Sequence, residues 1–180
     1  MDDYLRWMEE VSRQDALYEE AAASYGAPIL RLASGYETDT EKRRDLVQEI
    51  HFALWRSFAL FDQRCSLRTW VYRVAHNTAT THVIRRRARD PVFVDIDVLE
   101  VASNECVDEH LDQQLALDRL TKLIHALRPQ DRQVILLYLE GLDALSIADI
   151  TGLSAGNVAT KVHRIKHILS ERFREGRLDE

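Results

Sequence analysis

The feature that most constrains this chain is a three-and-four repeat of apolar residues from Leu67 to Val83. Leu67, Trp70, Val71, Val74, Ala75, Thr78, Ala79 and Val83 recur at steps that place them along one side of a helix. Ser66 stands one residue before this stripe, where its hydroxyl can accept a hydrogen bond from a free N–H of the first turn. The same stretch has no carboxylate between Arg64 and Arg89, and its arginines fall at 64, 68, 73, 85, 86, 87 and 89. Trp70, Tyr72, His76 and Asn77 lie among them. Cations, rings and an amide on one helix suit a nucleic acid: arginine for phosphates, rings for stacking, asparagine for a base edge. A core helix with a solvated polar face would use many of the same residues.

Beyond Arg89 the character of the chain reverses. Asp90, Asp95, Asp97, Glu100, Glu105, Asp108, Glu109 and Asp112 are acidic, and no lysine or arginine occurs between Arg89 and Arg119. Pro91 and the Val-Phe-Val-Asp-Ile-Asp-Val run have no helical period, so residues 90–110 read as an acidic, partly extended linker between domains at 1–89 and 111–180. Such a segment is either a solubilising tether or an anionic strand that occupies a basic channel. The net charge of −6 over 180 residues therefore does not exclude DNA. It implies that basic and acidic surfaces are segregated.

Upstream, residues 2–12 read as a short acidic helix, and a second helix runs from about Asp15 to Tyr36 with a kink or break at Pro28. Thr38 and Glu41 have the spacing of a capping box for a third helix. That helix turns Leu46, Ile50, Ala53, Leu54 and Phe58 inward and leaves Asp45, Gln48, Glu49, Phe52, Trp55 and Arg56 on its other side. Trp55 could complete the core, and the mixed aromatic and polar face is also what a helix docking on a partner presents.

After the linker, Leu111, Leu115, Leu120, Ile124 and Leu127 restore the helical period, and Pro129 suits the first turn of the next helix. A short helix over residues 142–151, a turn at Gly152 and a capping Ser154 lead into a final helix. That helix buries Val158, Val162, Ile165 and Leu169 and exposes Asn157, Thr160, Lys161, His163, Arg164 and His167. This is the helix-turn-helix plan, whose second helix enters the major groove; a plain helical hairpin is the simpler alternative. Two cysteines outside any Cys-x-x-Cys motif, and a start without the basic and apolar parts of a signal peptide, indicate a cytoplasmic protein. No apolar run approaches membrane-spanning length, so no membrane insertion is expected.

Together the two halves resemble a bacterial RNA polymerase sigma factor of the extracytoplasmic function (ECF) type of the sigma-70 family. Asp45-Leu-Val-Gln-Glu49, Trp55, Phe61, Thr69-Trp-Val-Tyr-Arg-Val-Ala-His-Asn77 and the arginines after Val83 resemble region two. Leu127-Arg-Pro, Gly141-Leu142, Ile147-Ala148, Gly152-Leu-Ser and Gly156-Asn-Val resemble region four. The resemblance implies an all-α fold of two small helical domains. It implies that Asp45, Gln48, Glu49, Phe52, Trp55 and Arg56 dock on the clamp helices of the polymerase largest subunit, with the flap of the second subunit as a further contact. It assigns Phe61, Arg64, Trp70, Tyr72, Arg73, His76, Asn77, Arg85, Arg86 and Arg87 to minus-ten DNA, and Ser154, Asn157, Thr160, Lys161, Arg164 and His167 to the minus-thirty-five element. An anti-sigma partner is implied for many members. Two departures stand out: Phe61-Asp62-Gln63 replaces the family's frequent Phe-Arg-Gly, and Ala159 replaces an arginine expected in the reading helix.

Two other functions compete. A helix-turn-helix regulator acting without polymerase would leave the 45–56 face and the acidic linker without a role. A metalloenzyme would use His163 and His167 at i, i+4, yet no third ligand is close in sequence and no His-Glu-x-x-His motif is present. No cofactor and no catalytic turnover are expected.

Overall fold

The computed structural model describes residues 2–89 and 109–178. The acidic linker, assigned to residues 90–110, lies almost wholly outside them. Seven helices and no strand occur among the described residues. They form two compact units, the first built from α1 (Asp2–Ser34), α2 (Thr40–Phe58) and α3 (Leu67–Arg89).

One continuous helix, α1, replaces the two expected before residue 36, and Pro28 sits inside it. Proline removes a backbone donor there, at a cost of ~3 kcal/mol in a free helix. Packing on both sides of it resists a break, because Ala21 precedes it and Ile29, Leu32 and Ala33 follow it on the same buried face. The α2 cap also differs from expectation. Asp39, rather than Thr38, is the N-cap, and its Oδ1 accepts from the N–H groups of Glu41 at 2.9 Å and Lys42 at 3.0 Å. A carboxylate one position nearer the helix is a charged acceptor at the positive end of the helix dipole and outcompetes a hydroxyl. The Lys42 N–H is the main cause holding the Asp39 carboxyl below its usual pKa.

Leu46, Ile50, Leu54 and Phe58 of α2 are buried as their period requires. On α3, Val71, Ala75 and Ala79 are fully buried, and Ser66 caps the helix with its Oγ accepting from the Thr69 N–H at 3.1 Å. This helix packs against both α1 and α2.

The second unit carries α4 (Glu109–His125), α5 (Pro129–Leu139), the first part of α6 (Ala144–Thr151), through Ala148, and α7 (Ala155–Leu178). Leu123 and Ile124 anchor α4, whereas Leu115, expected inside, is 41% exposed. The packing of α4 is thus carried by its C-terminal half. Pro129 occupies the first helical position of α5, where its missing donor costs nothing. Arg132 is buried with its guanidinium donating to the carbonyls of His125 and Leu127, which closes the α4–α5 corner. Gly152, at φ 75°, makes the turn between α6 and α7. A Cβ there would meet no atom within 4 Å, so the turn demands glycine for its backbone angle rather than for space. Val158, Ile165 and Leu169 fix α7 to the core.

Candidate nucleic-acid interface

Contact on two sides changes which residues of α3 reach solvent. Tyr72 is 2% exposed and meets the Tyr25 ring of α1 edge to face, with centroids 6.1 Å apart. His76 is fully buried, with Nδ1 2.9 Å from the Tyr36 hydroxyl. Phe61 is 7% exposed, set between Phe58 at 6.2 Å and Trp70 at 5.2 Å. These three side chains belong to the core of the first unit rather than to its surface. Trp70 is half-buried, and its indole N–H donates to Ser57 Oγ at 2.9 Å, so it clamps the 59–66 loop onto α2.

Five other members of the set, Arg64, Arg73, Asn77, Arg85 and Arg86, reach the surface. Arg64 and Arg85 are exposed, and Arg73 and Arg86 are half-exposed. Arg64 pairs with Asp62 at 3.0 Å in open solvent, a contact of small energetic consequence. Asn77 is exposed one position from His76, and its side-chain amide makes no hydrogen bond among the described residues. The side chain of Arg87 lies outside the described residues.

The burial of His76 has a consequence in acid. Desolvation lowers its pKa from 6.5 to about 3. The unfolded chain therefore takes up a proton as pH falls below 6.5, while the folded chain stays neutral. Stability contributed by the neutral ring is fully present above that pH and is lost on acidification, by ~1 kcal/mol per pH step. His76→Phe is expected to flatten the stability profile between about pH 6 and 4 by about one proton, measured by urea unfolding. An unchanged slope would show that His76 titrates normally.

A second surface lies on α2. Asp45, Gln48, Glu49, Phe52, Trp55 and Arg56 are all exposed. Phe52 and Trp55 stack with centroids 6.4 Å apart, and the Arg56 guanidinium sits 5.9 Å from the Phe52 ring centre. Trp55 is tied to α1. Its indole N–H donates to Asp15 at 2.8 Å and its carbonyl accepts from Gln14, while the side chain stays at the surface.

The helix-turn-helix supplies a third surface. Ser154 caps α7, its Oγ accepting from the Asn157 N–H at 3.3 Å. Asn157, Thr160, His163, Arg164 and His167 are exposed, and Lys161 is half-buried. His167 pairs with Glu171 at 3.4 Å. Lys161 and Arg164 both donate to Asp131 of α5, at 2.6 and 2.7 Å. Asp131 carries no motif, and no spacing in the sequence announces a contact across 30 residues.

Residues 21–89 match the family described as Sigma-70 region 2, and residues 117–168 match Sigma-70 region 4. The ECF RNA polymerase sigma-E factor of Haemophilus influenzae is 30% identical over 142 residues, covering 72% of this chain and 73% of that protein. The chain belongs to the sigma-70 family, in its ECF branch. The RNA polymerase sigma-H factor of Pseudomonas aeruginosa is 24% identical over 177 residues, covering 91% of this chain and 90% of its own. The fold is shared with the sigma factor RpoE of Bartonella quintana, solved with the anti-sigma factor NepR: TM-score 0.65, 22% identity, 85% of this chain and 93% of that one.

Within this sigma-70 frame, the Phe-Arg-Gly departure acquires a physical meaning. Gln63, at the glycine position, has φ 64°, in the left-handed region that L side chains resist. The loop keeps the backbone shape that glycine would allow freely and holds it with the Phe61–Trp70 contact and an Asp62 carboxylate that accepts from the Arg64 N–H at 3.2 Å.

Proposed function

We propose that this sigma factor binds core RNA polymerase through the exposed face of α2 and directs it to promoters with the surfaces of α3 and α7. In this proposal residues 1–89 bind polymerase and open the minus-ten element, residues 90–110 enter the polymerase channel, and residues 111–180 read the minus-thirty-five element. The protein works in the cytoplasm and has no turnover of its own; the polymerase supplies the chemistry. No described helix is long and apolar enough to cross a membrane. The structure of Bartonella RpoE with NepR supports an anti-sigma factor as a further partner.

The observation that carries this reading is the division of labour on α1–α3. An exposed aromatic face on α2 coexists with a carboxylate-free, arginine-bearing α3 whose one free amide is Asn77. A DNA-binding regulator alone would need only the second surface. An asparagine amide has both donors and an acceptor, so it can read the polar edge of a base taken out of the stack. Arg64, Arg73, Arg85 and Arg87 would hold the backbone around it, with Arg86 turned to Glu37.

Run-off transcription with core polymerase on a library randomised at the minus-ten element tests this. Asn77→Ala is expected to lose roughly tenfold selectivity at one position on pre-melted templates, since one good base contact contributes ~1–3 kcal/mol. Its melting temperature should stay within a degree of wild type. A uniform loss at every promoter, with a lower melting temperature, would make Asn77 a brace rather than a reader. Failure of wild type to co-elute with core would favour the polymerase-independent regulator.

A further inference from the structure

The three charged groups at the α5–α7 contact are not arranged as a reading face would be if every cation on it served DNA. Asp131 stands in the first turn of α5, and its side chain is 12% exposed. Each of its oxygens has one donor: Oδ1 takes the Lys161 ammonium at 2.6 Å and Oδ2 takes the Arg164 guanidinium at 2.7 Å. Lys161 and Arg164 are three residues apart on α7, so one carboxylate spans one turn of the reading helix. The two cations fare differently. The Lys161 side chain is 23% exposed, drawn toward α5, whereas Arg164 keeps 54% of its side chain in solvent.

Resting on the minus-thirty-five reading of α7, we infer that Asp131 is a positioning residue that sets specificity. It withholds Lys161 from the DNA backbone and fixes Arg164 so that its remaining N–H groups face a base. A guanidinium has five N–H donors, and one nitrogen committed to Asp131 leaves the opposite edge free for a bidentate contact. An ammonium already neutralised by a carboxylate releases little counterion when DNA arrives, so it adds little to sequence-independent affinity. Specificity is a difference of affinities; holding back one phosphate cation lowers affinity for every sequence alike, and the difference between sequences is left to the anchored Arg164. Asn157 and Thr160, uncharged and exposed beside Arg164, fit a face that discriminates rather than one that merely adheres.

The test compares holoenzymes carrying wild-type chain, Asp131→Asn and Asp131→Glu on two duplexes, one with a minus-thirty-five element selected by wild type and one scrambled, across a salt series. Asp131→Asn keeps the shape and one acceptor but removes the charge. It is expected to bind the scrambled duplex several-fold more tightly and to steepen the salt slope by about one, as Lys161 becomes a phosphate ligand. The ratio of selected to scrambled affinity should fall roughly tenfold as Arg164 loses its anchor. Adding Lys161→Ala to Asp131→Asn should restore the slope and leave the ratio low. Asp131→Glu, which retains the charge, should recover most of both. If Asp131→Asn lowers only the melting temperature, with slope and ratio unchanged, Asp131 is a fold brace and the inference is wrong. If wild-type holoenzyme opens promoters but prefers no minus-thirty-five sequence, the reading role of α7 falls and this role with it.

Discussion

Alanine at both Gln48 and Phe52 is expected to weaken holoenzyme formation by roughly a hundredfold while the melting temperature stays unchanged. Phe52 is 62% exposed on a helix whose opposite face is already filled by Leu46, Ile50, Leu54 and Phe58. An aromatic ring left in solvent beside a second ring and an arginine matches the make-up of interaction hot spots, where one truncation costs ~2 kcal/mol or more. With the neighbouring amide of Gln48 removed as well, about 3 kcal/mol, or two orders of magnitude in affinity, is the reasonable scale. Competition against a labelled sigma factor for core polymerase measures it. Trp55 is the instructive control, because its N–H is bonded to Asp15 and its carbonyl to Gln14 across the α1–α2 contact. Trp55→Ala should therefore lose stability and affinity together. If the Gln48, Phe52 double variant binds core normally, the α2 face is not the docking surface.

The contrast between Phe52 and Tyr72 shows what the sequence could convey. Both are aromatic residues beside an apolar stripe, and periodicity alone treats them alike. Period fixes the direction of a helix's buried face but not its width, which depends on which side chains its neighbours bring to the edge of the stripe. On α2 the fully buried positions are those of the stripe, and Phe52 beside it is exposed. On α3 the buried arc takes in Tyr72 and His76, which are met by Tyr25 and Tyr36. Signals tied to one turn of chain were legible: Ser66 and Ser154 as caps, Gly152 as the turn, Pro129 at a helix start. Those that depend on a distant partner were not. Pro28 looked like a helix break because the packing that overrides it lies on other helices. Asp131 and Glu37 carry no sequence signal, since nothing near them in the chain names the cations they meet.

Glu37 is expected to be the most sensitive charged position in the first unit, with Glu37→Ala lowering stability by ~3 kcal/mol. It follows the end of α1 with only 1% of its residue surface exposed, yet it is a carboxylate. Three elements converge on it. Its Oε1 accepts from the Asp39 N–H at 3.0 Å, just ahead of α2; its Oε2 pairs with Arg86 of α3 and lies 3.8 Å from His82 Nε2. Breaking a buried pair leaves one charge without its partner, so Arg86→Ala should be about as costly as Glu37→Ala. The double variant should then cost much less than the two single losses combined, because neither charge is left orphaned. The same cycle decides what Arg86 is for. An arginine serving only DNA phosphate would leave stability unchanged on truncation and remove about one from the salt slope. Urea unfolding of the two single variants and the double measures the coupling; strictly additive losses would show that Glu37 is held by the Asp39 N–H alone. A strong coupling makes the Glu37–Arg86 pair the joint between α1 and the C-terminal end of α3, and leaves Arg85, exposed beside it, as the arginine there that is free to meet DNA.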